Sequence, residues 1–337
     1  MKNTPSLIDV QKQFGTVEAC IDYLIAMRWP DGVVCPSCGG KEVKKFVTNE
    51  TTRERKNRKG KLVEVRVPAR HLFECQSATC KHQFSPTVGT IFHDTHLPLT
   101  TWFMAVALMC NAKKGLSAKQ LERDLGVTYR TAWYLAHRIR KSMADSAPEA
   151  MSGVVEMDET YVGARRYDRR VKTILPYGKM PVFGMVQRRT DKKPSQVHAV
   201  HVKAANMKTI TGIINNRLAP SADLVITDEA RVYNKVGDSF DHQTVCHIQM
   251  EYVRKGDPRS IHTNSIENFW SLFKRGVIGS FHKVSIKHLR RYLDEFSFRF
   301  NNREAEDMFA LVMLSLVITE GIKYAELTSN PDGAGTT

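Results

Sequence analysis

The sequence predicts an α/β domain in the second half of the chain, preceded by a cysteine-rich segment of short strands and by an all-helical segment. Three observations predict this. Strand-like and helix-like stretches alternate after residue 153. Two pairs of closely spaced cysteines lie between residues 35 and 80. Two capped amphipathic helices joined by a glycine turn lie between residues 117 and 142. At 337 residues and 42% hydrophobic content, the chain can bury a sizeable core and hold more than one domain.

Residues 1–10 lack a basic stretch followed by an apolar one, so no secretory leader is expected there. Residues 16–28 place Val17, Cys20, Ile21, Leu24 and Ile25 at helical spacing behind the N-cap candidate Thr16. Trp29-Pro30-Asp31-Gly32 then stops that helix. Residues 33–90 read as short strands and turns around the cysteines.

Cys35-Pro36-Ser37-Cys38-Gly39-Gly40 has the form of a zinc knuckle. Two thiolates three positions apart can grip one tetrahedral ion, and the glycines let the backbone turn back. Cys75 and Cys80 form the partner pair, with a wider spacing that still suits zinc. Structural Zn2+ on Cys35, Cys38, Cys75 and Cys80 is expected, with His71 or His82 as the alternative to one cysteine. Four protein ligands leave no open position for catalysis. Cys20, Cys110 and Cys246 sit in apolar contexts and read as small core residues in a reducing cytoplasm. Between the pairs, residues 53–61 carry a basic run that is either a phosphate-touching hairpin tip or a solvated one.

Residues 98–144 read as helical. Ser117 caps a helix holding Ala118, Leu121 and Leu125, and Gly126 ends it. Thr128 caps a second helix with Ala132, Trp133, Leu135, Ala136 and Ile139 inward. This is the helix-turn-helix pattern, with an ordinary αα-hairpin as the plainer alternative. Tyr129, Arg130, Arg138, Arg140 and Lys141 are expected on its outer face, toward DNA. The net charge of +15 favours a polyanionic partner. The apolar runs at 102–110 and 308–318 are shorter than the roughly 20 residues needed to span a bilayer, so they read as buried helices and a membrane is not the expected partner.

After a linker at 145–153, strands are expected at 153–162, 182–189, 196–202, 223–227 and 244–250. Helices are expected at 206–218, 264–275 and 285–301. This succession is the order of a ribonuclease-H-like α/β domain, a mixed sheet flanked by helices. The expected division is therefore 1–97 (N-terminal helix and zinc ribbon with a basic insertion), 98–144 (helix-turn-helix), 145–153 (linker), 154–328 (catalytic domain) and 329–337 (tail).

Three carboxylates in that domain stand where metal ligands would. Asp158 lies in an apolar strand, a costly place unless it is paired or metal-bound. Glu156 shares its face by alternation, and Glu159 points to the other. Asp228 closes the buried run Leu224-Val225-Ile226-Thr227, with Glu229 as rival. Glu267 lies on a helix whose apolar stripe is Ile266, Phe269, Trp270 and Phe273. Asn264, Glu267, Ser271 and Lys274 form a second stripe. Phosphodiester chemistry needs two hard cations, and carboxylates from separate elements can hold them.

Several motifs resemble the ISXO2-like family of bacterial insertion-sequence DDE transposases with an N-terminal zinc ribbon. They are Arg28-Trp29-Pro30-Asp31-Gly32 before Cys35; Gln83-Phe84-Ser85 and Gly89-Thr90-Ile91-Phe92 after Cys80; Asp158-Glu159-Thr160-Tyr161-Val162-Gly163; and Thr227-Asp228-Glu229. His262-Thr263-Asn264 through Lys274-Arg275-Gly276, Tyr292-Leu293-Asp294-Glu295-Phe296 and Arg299-Phe300-Asn301-Asn302-Arg303 complete the set. The resemblance runs from residue 14 to 303. It implies a ribonuclease-H-like core that takes Mg2+ or Mn2+ on Asp158, Asp228 and either Glu267 or Asn264. Lys274 and Arg275 would then lie on DNA phosphate. It further implies binding of terminal inverted repeats, strand cleavage and strand transfer to target double-stranded DNA by a homo-oligomeric synaptic complex at the bacterial nucleoid. A ribonuclease-H-like nuclease that cuts without joining and a non-catalytic DNA-binding regulator are the competing readings.

Overall fold

The computed structural model describes residues 4–56, 60–144, 149–163, 166–168, 173–175, 179–191, 193–249, 251–255 and 260–329. Parts of the expected basic tip (57–59), linker (145–148) and tail (330–337) lie outside them. The chain forms two compact units: Thr4–Leu108 with Phe309–Leu327, and Met109–Met308 with short terminal pieces.

The first unit opens with helices α1 (Leu7–Gln13) and α2 (Val17–Arg28). Thr16 caps α2 by accepting from Ala19 N at 3.2 Å, as the sequence predicts. Strands β1 (Val43–Val47), β2 (Thr51–Lys56), β3 (Leu62–Val67), β4 (His71–Cys75) and β5 (Gln83–Phe84) follow. They make a three-stranded sheet, β1-β4-β5, and a separate hairpin, β2-β3. Helix α3 (Leu99–Asn111) begins in this unit. Its Phe103 joins Phe14, Tyr23 and Phe309 in an aromatic cluster with neighbouring ring centroids 4.8–6.4 Å apart.

In the second unit, α4 (Ala118–Leu125) and α5 (Tyr129–Ser142) form the predicted pair. Ser117 and Thr128 accept from Gln120 N and Thr131 N at 3.1 and 3.3 Å, and Gly126 takes the left-handed C-cap at φ +62°. Strands β6 (Met151–Val162), β7 (Arg166–Asp168), β8 (Thr173–Leu175), β9 (Met180–Gln187) and β10 (Gln196–His201) come next. Helix α6 (Met207–Arg217) and strands β11 (Leu218–Asp228) and β12 (His242–Val245) follow, then helices α7 (Asn264–Gly276) and α8 (Ile286–Asn301). β7 and β8 form a small hairpin that the sequence pattern does not announce.

The main sheet has the order β10-β9-β6-β11-β12. β6 and β10 run antiparallel to β9, whereas β11 runs parallel to both β6 and β12. In order of appearance this is 3-2-1-4-5, the ribonuclease-H-like arrangement. Alternation along the strands sorts the two layers. Val155, Met157, Phe183 and Met185 pack beneath α6, while Val182, Val186 and Val197 pack under α7 and α8 with Ile266, Trp270 and Phe296.

The units differ from the expected division in two places. The helix pair 118–142 belongs with the main sheet, because the second half of α5 is buried against α8. The stretch 309–327, expected inside the catalytic domain, belongs to the first unit as α9 (Met308–Ile318) and α10 (Tyr324–Thr328). Helix α9 has almost no polar face; it buries Phe309, Val312, Met313, Leu316 and Val317 and leaves Leu314 and Ile318 exposed, and Phe309 sits in the aromatic cluster of the first unit.

Candidate active site and metal centre

The cysteine pairs converge. The sulfurs of Cys35, Cys38, Cys75 and Cys80 all lie within 4.8 Å of one another, with Cys35–Cys80 at 3.8 Å and Cys38–Cys75 at 3.6 Å. Tetrahedral Zn–S bonds of about 2.3 Å require sulfurs about 3.8 Å apart, so the site fits zinc. Both knuckles follow from local backbone chemistry. Gly39 N donates to Cys35 O and Cys35 N to Gly40 O, each at 2.9 Å, with Gly39 at φ +73°. A Cβ on Gly40 would come 3.3 Å from Cys38 Sγ, so this position has little room for a side chain. In the second knuckle Lys81 takes the turning role at φ +46° and donates to Ser77 O. Among the described residues neither His71 nor His82 belongs to the sulfur cluster. Phe73, Phe84 and Trp29 pack around it.

The candidate carboxylates Asp158, Asp228 and Glu267 all belong to the second unit, and the latter two act electrostatically on Asp158. Among the described residues, however, the cysteines alone form a close ligand cluster. β6 and β11 are paired in parallel with Ile226 opposite Glu156. The paired ladder ends there; Asp158 and Asp228 each lie two residues beyond its last pair, on neighbouring strands, and the Asp228 charge acts on the Asp158 carboxyl. Burial and then the charges of Asp228, Glu159 and Glu267 push the Asp158 carboxyl up to about 7. Carboxylates from three elements therefore act on one point, and this crowding of negative charge is what a pair of hard cations would relieve. The donor set, all carboxylate oxygen, suits Mg2+ or Mn2+.

Two features bring α7 to that point. Gly184 lies directly across from Asp158 in the β6–β9 ladder. A Cβ there would fall inside contact distance of Trp270 and 2.9 Å from Ile266 Cδ1, so a hydrogen at this position lets α7 rest on the sheet. Glu156 supplies the second feature. Fully buried, it accepts from Arg188 Nε at 2.6 Å, Ser265 N at 2.7 Å, Ser265 Oγ at 2.8 Å and Ile266 N at 3.1 Å. A carboxylate on the free amides of a helix N-terminus is favourable through both hydrogen bonding and the helix dipole. Arg188 also donates to Ser260 O at 2.7 Å and His262 O at 2.8 Å, tying down the segment that leads into α7.

Glu267, one turn into α7, accepts from Thr263 Oγ1 at 2.7 Å and lies 3.5 Å from His247 Nε2. Asn264 is the first residue of α7 and is exposed. Ser271, Lys274 and Arg275 are exposed along the same helix, while Ile266, Phe269, Trp270 and Phe273 are buried. On the opposite face of the sheet, Glu159 accepts from Tyr233 Oη at 2.6 Å, and burial raises both groups above their ordinary values. Asp228 accepts from Ala230 N at 3.0 Å, and Glu229 accepts from His247 N at 3.2 Å.

The helix pair corrects one expectation. Tyr129 and Arg130 are exposed at the start of α5, and Lys141 is half-buried. Arg138 and Arg140, expected on the DNA-facing surface, are buried. Arg140 Nε bonds Glu295 Oε2 at 2.7 Å, its Nη2 donates to Leu116 O at 3.1 Å, and its guanidinium lies 4.3 Å over the Tyr292 ring. Burial alone would raise Glu295, but Arg140 and Arg299 hold it below its ordinary value. The reason is periodicity. Arg140 lies one position from the inward Ile139, so the face covered by α8 is wider than the apolar stripe alone indicates. Arg138 stacks on Tyr134 at 5.3 Å.

The sequence pattern offers Glu156 only as a rival ligand, carries His262 and Ser265 only within a motif and without a role, and does not single out Arg188, Gly184 or Tyr233. One signal was available. A hairpin register that sets Glu156 opposite Val186 places Arg188 diagonally beside it.

Residues 150–301 match the family model of the ISXO2-like transposase domain, and residues 15–83 match that of the transposase zinc-ribbon domain. A protein in transposable element ISH50 of Halobacterium salinarum is 29% identical over 304 residues, which is 86% of this chain and 92% of that protein. A transposase-like protein of Haemophilus influenzae is 27% identical over 117 residues, 35% of this chain and 90% of that protein. The Drosophila P element transposase strand transfer complex superposes with a TM-score of 0.25 at 14% identity, over 58% of this chain and 55% of that one, too slight a likeness to support an inference. Fold, zinc cluster and family matches together define a metal-dependent DNA transposase of the DDE kind. Its matched segments are thus an ISXO2-like transposase domain and a transposase zinc ribbon, the pairing that the sequence motifs resemble.

Proposed function

We propose that this transposase binds the terminal inverted repeats of its insertion sequence, cleaves at the element end and joins the freed 3′-hydroxyl to target DNA. Asp158, Asp228 and Glu267 are the residues that would hold Mg2+ or Mn2+. Such ions supply Lewis-acid stabilisation of the phosphodiester and its leaving oxygen. The observation that supports this reading is that the charges of Asp228 and Glu267, from a neighbouring strand and from α7, both act on the buried Asp158 carboxyl.

The chain's own residues do the positioning. Glu156 and Arg188 hold the start of α7, Thr263 orients the Glu267 carboxylate, and Gly184 allows the helix to approach. Lys274 and Arg275 lie seven and eight residues beyond Glu267, about 11 Å along the helix. From there they would hold flanking phosphates as DNA runs along the exposed stripe. Glu267 is favoured over Asn264 as the third ligand because its charge reaches Asp158. Tyr129, Arg130 and Lys141 remain the DNA contacts expected of the helix pair. Two ends must be cut and joined at one place, so the working species is a homo-oligomer on paired ends, acting where the bacterial DNA is. No described helix is long and apolar enough to cross a membrane.

The test uses end-repeat duplex, target DNA and Mg2+ with the full chain and its Asp158→Asn, Asp228→Asn, Glu267→Gln and Asn264→Ala variants. The three carboxylate variants should lose cleavage and joining by at least about 100-fold while still binding the end duplex. Asn264→Ala should stay active. Cleavage without joining by the wild type would identify a nuclease, binding without either a regulator, and both would refute the proposal.

A further inference from the structure

The β2–β3 hairpin, inserted between the two zinc knuckles, is not used by the site described above. Its ladder is regular over six pairs, from Thr51↔Val67 to Lys56↔Leu62. All six residues of β2 are exposed, and β3 buries none of its own. An isolated two-stranded ribbon is marginal in water, so so exposed a hairpin gains from a partner.

The register divides its side chains by charge. Thr51, Arg53 and Arg55 share one face with Val67, Val65 and Val63. That face holds two guanidinium groups, three valines and no carboxylate. Lys56, Arg66, Glu54, Glu64 and Leu62 lie on the other face, where Arg66 is paired with Glu50. The cations of this second face are thus offset by acids, and those of the first are not.

We infer that the Arg53–Arg55–Val63–Val65 face of this hairpin is a DNA-docking surface that lies in the major groove. This rests on the DNA-binding reading above and adds a contact outside the helix pair and the catalytic stripe. The major groove, about 12 Å wide, admits a two-stranded ribbon. Arg53 and Arg55 are about 6.8 Å apart along the strand, close to two base-pair steps of about 3.4 Å each. Each guanidinium can donate two hydrogen bonds to guanine O6 and N7, and valine methyls can meet the thymine methyl.

The experiment compares the full chain with two double variants, Arg53→Ala/Arg55→Ala and Lys56→Ala/Arg66→Ala, which remove the same charge from opposite faces. Binding to a labelled mixed-sequence duplex is followed by anisotropy across salt concentration, with dimethyl sulfate interference reporting guanine N7. The first variant should bind about 10-fold or more weakly, with a salt slope reduced by about two, and should lose N7 interference present in the wild type. The second should bind within about threefold of wild type. Zinc content equal to wild type in both variants confirms an intact ribbon. Equal losses in both variants, no loss in the first, or unchanged N7 interference would overturn the inference while leaving the transposase reading intact. A wild type that binds no duplex would remove the DNA-binding reading itself.

Discussion

Replacing Glu156 by Gln separates an anchor from a metal ligand. The side chain keeps its size but loses its charge, and one of its two oxygens becomes an amide donor facing other donors. Four hydrogen bonds end on this carboxylate, from Arg188, from Ser265 twice and from Ile266. Breaking a buried ion pair by neutralising one partner costs about 3–5 kcal/mol. Arg188 keeps its bonds to Ser260 O and His262 O, so the low end applies, about 3 kcal/mol. For a unit of this size that lowers Tm by roughly 6–12 °C. Cleavage should also fall by about 10–100-fold, because Glu267 rides on the helix that Glu156 holds. Binding of end duplex should hold within about twofold. The assays are thermal melting of the zinc-loaded chain, by circular dichroism without added Mg2+, and single-turnover end cleavage. A variant that loses cleavage with Tm unchanged would mean that Glu156 acts as a ligand, and a variant unchanged in both would refute the anchor.

Asp158→Asn should act in the opposite sense on stability. A carboxyl pushed up to about 7 from 3.8 contributes stability at low pH that is lost as pH rises through about 7. Without divalent ions the Asn variant should therefore melt higher than wild type at pH 8, and the gap should narrow below pH 7 and close only as pH falls to the ordinary carboxyl value of 3.8; equal Tm values at pH 8 would count against the crowding of carboxylates. Gly184→Ala should cost about 1–3 kcal/mol and reduce cleavage, since its methyl meets Trp270 and Ile266; a fully active, equally stable variant would show that α7 has slack. Arg140→Ala should destabilise by about 3–5 kcal/mol by leaving buried Glu295 with Arg299 as its remaining ion-pair partner, whereas Arg130→Ala should leave Tm unchanged and weaken DNA binding. The reverse pattern, read by melting and anisotropy, would restore Arg140 to the DNA surface. Metal analysis should find about one zinc per chain, lost in Cys75→Ser and kept in His71→Ala and His82→Ala; loss in either histidine variant would return that residue to the ligand set.

Much of this protein could be read from its residues in order. The knuckles were legible because zinc ligands lie close in sequence and their spacing is set by tetrahedral geometry. The helix caps Ser117 and Thr128, the α7 stripe and the strand segments were legible because caps and periodicities are local. Asp158, Asp228 and Glu267 were expected as a set, but only the parallel pairing of β6 with β11 makes the two aspartate-bearing strands neighbours. Tertiary structure alone decided that Arg140 turns inward, that α9 joins the first unit, and that Glu156 serves as an anchor. In each case the deciding partner lies far along the chain: Glu295 for Arg140, Phe14 for Phe309, Ser265 for Glu156. A side chain's local pattern states what it needs, a buried charge needing a counter-charge and an apolar helix needing cover. Which distant group meets that need depends on how the sheet and helices pack, and no local spacing encodes it.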